Sequence, residues 1–475
     1  MQNKRDQLHA HLFGVGRLVS ALVTGELDAS ETPMRRASVG TVIGVLIALV
    51  AAAAFWVIGL IAGGGDSGWR KPGSIIVEKE TGSRYLFLDG TLRPVLNYAS
   101  ARLAAGGGNA EVRTVSKSSL DGVPHGLPIG IPNAPDALPD PKRLNTEPWM
   151  VCAATVGAVD GPQRPGVAVS VGAAWQFTPV PEDRAIPVAT PDGAIVLVWH
   201  GQRMRIEDRA LLITFGFGGF EPLPVSTAWL NALPAGPGLA PPPLPERGQP
   251  GQSLAGRSTK AGQLFEVQVA GGTGTYYLMR ADGLVPISRT ELALFLADPA
   301  TGGAYDQGEV RAIPLTAAAA AAAPKSRTTV VTGLPKEPPR PADGADGRSV
   351  CVRLGFSAGI GATGSLVTVA ADQLRVTGPR PRGDHDDDRV ADQVRVPGGS
   401  GTLVIGQPAP GVENGTKFLI TDVGVKFPLP GDEVAAALGY GDAKPVPVPS
   451  AVLAFLPTGN ALDPQAARTQ RSGPA

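Results

Sequence analysis

The glycines of residues 359–364, Gly-Ile-Gly-Ala-Thr-Gly, invite a chemical reading first, because G-x-G-x-x-G is the spacing that cradles a dinucleotide pyrophosphate at a helix N-terminus. The context argues against it. A helix must open at those glycines, whereas residues 366–370, Leu-Val-Thr-Val-Ala, read as strand, so a glycine-rich loop is expected. The Walker pattern G-x-x-x-x-G-K-[ST] occurs nowhere, and the glycine run at 271–275 has no lysine to reach a phosphate. Of the five histidines only His9 and His11 lie close together, so neither a zinc ligand set nor a nucleophile and base can be assembled from spacing. Asp384, Asp386, Asp387 and Asp388 lack the glycine and glutamate of a twelve-residue calcium loop and read as a solvated tip. Asn414-Gly-Thr is a formal glycosylation acceptor that also reads as a turn. The residues thus give no catalytic, metal or cofactor set.

Cys152 and Cys351 are the only thiols, each inside a short apolar, strand-like run. Matching contexts suggest a disulfide in an oxidising compartment; two buried thiols remain the alternative. Cys-x-x-Cys spacing is absent, which removes the commonest metal or redox reading.

The elements that must carry these residues begin with a membrane span. Residues 39–62 contain no charge and cover about 36 Å as a helix, enough to cross the hydrocarbon. A cleaved signal peptide would have a shorter apolar core and a shorter leader than the 38 residues here. Arg35 and Arg36 before the span against Arg70, Lys71 and Lys79 after it leave the orientation open. Ahead of it, Leu8, Leu12, Val15, Val19 and Leu22 recur at helical spacing, widened by Phe13 and Leu18, with Gly25 placed to stop the helix. Such a stripe suits a membrane surface or a partner; a frayed solvated tail is the alternative.

Beyond the span, 62 Gly and 46 Pro with few aromatics predict small β-rich blocks joined by connectors, and a net charge of zero gives no pull toward nucleic acid. Residues 85–95, 277–287 and 418–429 share a strand, a turn glycine and an apolar continuation; 195–206 is a weaker copy without the proline. The copies centre on Gly90, Gly201, Gly283 and Gly424, and short helical patterns follow at 97–103, 226–233, 289–295 and 432–438. A central β domain is expected from the cysteine strands with 167–171, 366–376 and 403–405.

These residues resemble the EccB family, a core membrane component of type VII secretion systems. The likeness runs through 6–22, 33–36, the span, 74–103, 149–156 and 415–441, and residues 94–103 (PVLNYASARL) are its most specific segment. The resemblance implies a cytoplasmic N-terminus, an elongated extracytoplasmic region and a Cys152 to Cys351 disulfide. It also implies homo-oligomerisation and partners among other core subunits, including an FtsK/SpoIIIE-like ATPase and a multi-span channel subunit. ATP hydrolysis is ascribed to the family, so ATP enters as a cofactor by resemblance alone. The poly-alanine stretch and residues 384–389 carry no family pattern. A cell-wall-binding module is a further alternative, although the repeats offer few aromatic rings for stacking on sugar.

The expected fold is therefore membrane-anchored α+β: a cytoplasmic segment with an amphipathic helix (1–38), one transmembrane helix (39–62), a central β-rich domain (149–185 and 348–408) and four small strand-turn-strand-helix repeats (63–122, 186–233, 260–316 and 409–460) in pseudo-twofold order. Linkers are expected at 234–259 and 317–347, and a disordered tail at 461–475.

Overall fold

The computed structural model describes the chain except for residues 1–3, 26–32, 63–66, 108–109, 159, 173–174, 269–273, 307–308, 331, 343–346, 358–360, 385–388, 410, 413–414 and 472–475. Most of the 271–275 glycine run, the first glycine of 359–364, Asp386, Asp387, Asp388 and Asn414 thus lie outside the described residues. The chain forms two compact units, residues 1–92 with 112–124, and residues 93–111 with 125–475.

The first unit opens with α1 (Lys4–Thr24), which ends where Gly25 turns left-handed at φ 69° and donates to the Ala21 carbonyl. Helix α2 (Pro33–Ala62) starts before the apolar run, since proline at a first helical position loses no hydrogen bond. A small sheet follows, of β1 (Ile75–Glu78), β2 (Arg84–Leu88), β3 (Thr91–Pro94) and, beyond α3 (Tyr98–Ala104), β4 (Val112–Val115). Its order is β3-β2-β1-β4, with β1 antiparallel to β2 and parallel to β4. Trp69 meets Phe87 edge-on at 5.5 Å, and Ile76, Leu92 and Leu120 complete the core.

Three sheets of the second unit have the same order. One is built from β8 (Arg184–Ala189), β9 (Ile195–Trp199), β10 (Gln202–Arg205) and, beyond α4 (Ala210–Thr214), β11 (Leu223–Pro224), and α5 (Thr227–Ala232) follows it. The next has β12 (Leu264–Val267), β13 (Thr275–Arg280), β14 (Gly283–Ile287), α6 (Arg289–Ala297), β15 (Ile313–Pro314) and α7 (Ala317–Ala322). The last has β21 (Gly401–Gln407), β22 (Lys417–Thr421), β23 (Lys426–Leu429), α8 (Asp432–Ala437), β24 (Val446–Pro449) and α9 (Ser450–Leu453).

Each of the four sheets closes in the same way. The chain returns along the third strand, and a prolyl carbonyl accepts from that strand: Leu92 donates to Pro124 at 2.8 Å, Arg203 to Pro234 at 2.9 Å, Leu284 to Pro324 at 2.8 Å and Lys426 to Pro457 at 2.9 Å. An acceptor without a donor suits proline, whose missing N–H is not needed there.

Several expected connectors are therefore structured. Poly-alanine forms α7, capped by the Thr316 side chain, because alanine has the highest helix propensity and Thr316 satisfies an open N–H. Residues 234–259 pack on the third sheet: Leu244 and Leu254 are buried, Arg280 pairs with Glu246 at 2.5 Å, and Arg247 with Asp298 at 2.9 Å. The tail holds α10 (Pro464–Arg468), with Leu462 and Ala467 buried and Arg468 donating to Ala104 O at 3.0 Å. In the second sheet the helix after the hairpin is α4, and the 226–233 pattern is α5, which follows the fourth strand.

The largest sheet has the order β20-β6-β5-β17-β18-β7 and joins β5 (Trp149–Val156), β6 (Arg164–Ser170) and β7 (Phe177–Pro179) to β17 (Arg348–Ser357), β18 (Gly361–Ala370) and β20 (Gln393–Arg395). Short β19 (Arg375–Val376) pairs with β5. Residues 403–405, expected here, lie in β21 of the fourth small sheet, drawn there by pairing with β22 and β24. The halves also exchange edge contacts. Strand β16 (Arg340–Pro341) runs beside β8, with Ala342 donating to Ala185 O at 3.1 Å, and Asn145 donates to Gly401 O at 2.8 Å. Helix α4 packs on α6, α3 on α8, and α5 on α9.

Candidate functional site

Two surfaces and one buried junction hold the residues singled out in the sequence. On α1, Leu8, Leu12, Phe13, Val15, Leu18, Val19 and Leu22 are all exposed, Leu22 to 82%. A 100° step per residue brings six of them onto one face and leaves Phe13 on the flank. So much uncovered apolar area on one helix marks a surface built to be covered. On α2, residues 39–57 have a mean hydropathy of 2.4 and none is buried against the chain, as a lipid-facing helix requires. Among the described residues it is the one helix long and apolar enough to cross a membrane.

The buried junction is the β5 and β17 pair. Cys152 and Cys351 are directly opposite in register, fully buried and disulfide-bonded. Met150, Ala154, Trp175, Val367 and Leu374 surround them, so neither sulfur is a reagent for solvent. On the other face, Trp229 of α5 donates through Nε1 to Val151 O at 3.0 Å and joins Val452, Leu453 and Phe455 over the sheet.

The turn glycines have different causes. Gly90 and Gly201 take φ of 73° and 68° after Asp89 and His200, which are also left-handed, the type I′ pairing that matches strand twist. Gly424, at φ 77°, sits in a longer loop. Gly283 opens β14 instead, because a side chain there would run into the Pro324 carbonyl of the closing segment. Gly364, the last glycine of the dinucleotide-like run, lies within β18, and a Cβ at Gly201 would collide with its backbone. Gly201 and Gly364 serve close approach of two segments of the chain, and the described residues of the run are strand, not helix.

Some residues carry structure that spacing could not show. Tyr440 is 1% exposed and donates to Pro139 O at 2.7 Å across 301 positions; burial pushes its hydroxyl far above the usual range, with Arg102 opposing and Asp140 and Tyr98 reinforcing. Burial also raises Tyr305, which donates to Arg311 O at 2.8 Å. The repeated apolar-Pro pair of the closing segments, Val123-Pro124, Leu233-Pro234, Ala323-Pro324 and Leu456-Pro457, was the available signal for the closures. Asp384 accepts from Asn133 Nδ2 at 2.7 Å. Among the described residues, no three His, Cys, Asp or Glu side chains gather as a metal site.

The profile of the family described as Type VII secretion system ESX-1, transport TM domain B, matches residues 2–475. The ESX-3 secretion system ATPase EccB3 of Mycolicibacterium smegmatis is 28% identical over 481 residues, covering 96% of this chain and 89% of its own. The ESX-5 secretion system ATPase EccB5 of Mycobacterium marinum is 27% identical, covering 96% and 91%. Among solved structures, an EccB3 dimer from the ESX-3 core complex superposes with a TM-score of 0.65 at 28% identity, over 83% of this chain and 100% of that one. A chain of an intact ESX-5 inner membrane complex gives 0.68 at 23% identity over 100% and 97%, a likeness of fold.

Proposed function

We propose, from the premise that this chain belongs to the EccB family of type VII secretion proteins, that it is a structural core subunit of such a complex in the cytoplasmic membrane. The observation that carries this is the match of the family profile to residues 2–475, which include the one described helix long and apolar enough to cross a membrane. The fold is mixed α and β, with one apolar N-terminal helix and several small mixed sheets. In this reading α1 is cytoplasmic and docks on other core subunits, an FtsK/SpoIIIE-like ATPase and a multi-span channel subunit among them, while the sheets assemble with further copies outside. The disulfide supports that orientation, since such bonds persist outside the reducing cytoplasm.

The four small sheets are read as repeats in pseudo-twofold order, each half running sheet, central strands, sheet. Two details support equivalence of the first with the third. In both, a glycine N–H meets the second strand, Gly73 to Phe87 O at 2.9 Å and Gly262 to Met279 O at 2.8 Å. In both, a tyrosine of that strand meets a glutamate of the first, Tyr85 with Glu78 and Tyr276 with Glu266. The packing of α3 on α8 and of α6 on α4 pairs the helices of the two halves reciprocally.

Purification in mild detergent tests the reading. A large assembly holding an ATPase motor and a multi-span subunit is expected, and a lone monomer under gentle conditions overturns it. ATP hydrolysis is the second reading, because the relatives carry ATPase in their names. No Walker sequence supports it here. Stoichiometric nucleotide binding by protein free of other ATPases would revive it.

A further inference from the structure

The second small sheet departs from the other three at one register. Two residues beyond the position whose N–H meets the prolyl carbonyl, the others carry Pro94, Pro286 and Pro428, and the second carries Arg205. Beside Arg205 lies a cleft of about 710 Å³, within the size range of ligand sites.

The cleft is lined by Arg203, Arg205 and Arg209 together with the apolar Ile195, Ile206 and Leu230. Arg203 and Arg205 share a face of β10, being two apart on a strand. Arg203 is held by Leu233 O and Asn231 Oδ1, each at 3.2 Å. Arg205 and Arg209 are exposed, and neither makes an ion pair among the described residues. Two carboxylates also line the space. Asp192 is engaged by the Thr190 hydroxyl of its own hairpin, and Glu207 is exposed, so the lining carries three cations against two anions. Gly238 also lines the cleft, and a Cβ built there meets nothing within 4 Å.

We propose that this cleft binds an extended acidic peptide segment of a partner protein, with its carboxylates on Arg205 and Arg209 and its alternate apolar side chains over Ile195, Ile206 and Leu230. An arginine fork matches a carboxylate through two parallel N–H donors. Successive side chains of an extended strand point to opposite sides, so a chain alternating apolar and acidic residues can present one type to the apolar lining and the other to the arginines. A small inorganic anion would leave the apolar lining uncovered. The inference rests on this sheet alone and stands whether or not the chain acts in secretion.

The test uses the full chain in neutral detergent and a fluorescein-labelled hexapeptide of alternating valine and glutamate, read by anisotropy, with the valine and glutamine hexapeptide as comparison. Saturable binding is expected for the acidic peptide, at least about tenfold weaker for the glutamine peptide, and weakened by salt. Arg205→Gln with Arg209→Gln should weaken it at least about tenfold. Gly238→Leu keeps every charge and adds bulk at the lining of the cleft, and should weaken it too. Equal affinity for the two peptides overturns the proposal, as does undiminished binding by Gly238→Leu; loss in the arginine variant alone would show charge attraction without a site and also overturns it.

Discussion

Cys152 and Cys351 stand directly opposite each other on neighbouring antiparallel strands although 199 positions separate them in the chain. The strands they lock, β5 and β17, lie at the centre of the large sheet, and each begins after a different small sheet has been completed. The bond therefore joins two parts of the chain that contact geometry already pairs, and its main effect falls on the unfolded state. Closing a loop of that length removes unfolded-chain entropy worth about 5 kcal/mol in the chain-entropy model.

The Cys152→Ala, Cys351→Ala variant should therefore fold and lose stability toward that figure in denaturant titrations followed by tryptophan fluorescence. Because both sulfurs are fully buried, reductant alone should leave the native protein unchanged, and reduction should proceed only when denaturant is added. Mass spectrometry after thiol alkylation reads the difference. Rapid alkylation of both cysteines in native buffer containing reductant would contradict the burial argument.

Hairpins, the apolar helix and the cysteine strands were legible because their signals are local: alternation, a turn glycine, an uninterrupted apolar run. The closures were not. A proline in Leu233-Pro234 or Ala323-Pro324 reads locally as the start of a linker, and only the acceptor role of its carbonyl toward Arg203 or Leu284 shows that the chain is still inside the sheet. The poly-alanine stretch failed for a related reason. Its propensity is helical, but nothing in composition shows that Thr316 caps it or that Ala320 and Ala323 are covered. Gly283 was placed in a turn by its neighbours, whereas its cause is the distant Pro324. Residues 359–364 read in sequence as a glycine-rich loop and not as a phosphate site; residues 361–364 instead begin strand β18, where Gly364 allows close approach to Gly201.

Tyr440 should make stability fall at alkaline pH. Its folded pKa is raised by burial, so the folded state holds the proton more tightly than the unfolded chain does. The contribution is complete below about pH 10, the unfolded value, and is lost as pH rises above it. Tyr305 acts with the same sign. Tyr440→Phe should cost about 1 kcal/mol at neutral pH by leaving the Pro139 carbonyl unpaired, and should flatten the alkaline slope. An unchanged slope in denaturant titrations across this pH range would rule out Tyr440 as a cause.

Gly90 and Gly283 should respond differently to alanine. At Gly90 a Cβ meets nothing within 4 Å, so only the left-handed backbone resists, and about 1 kcal/mol is expected. At Gly283 the backbone is also unfavourable, at φ 147°, and the Cβ runs into the Pro324 and Lys325 backbone, so about 3 kcal/mol is expected with loss of the closing pair between Leu284 and Pro324. Hydrogen exchange at the Leu284 amide reports that pair directly. Equal effects of the two substitutions would mean that the closing segment yields and is not the reason for the glycine.

The exposed stripe of α1 should be dispensable for folding and required for assembly. Leu12 and Leu18 are 60% and 66% exposed, so replacing both with glutamate removes no packing within the chain, and a change within about 0.5 kcal/mol is expected in denaturant titrations. The same change puts two charges on the face that a partner helix or groove would cover, where burying an unpaired carboxylate is strongly unfavourable. Recovery of other core subunits with the tagged double variant should fall at least about tenfold relative to the unmodified chain, a loss of at least about 1.4 kcal/mol in association. Sedimentation with membranes should persist, because α2 supplies the span. Undiminished recovery would assign the stripe to the lipid surface; loss of membrane association as well would show that α1 governs insertion.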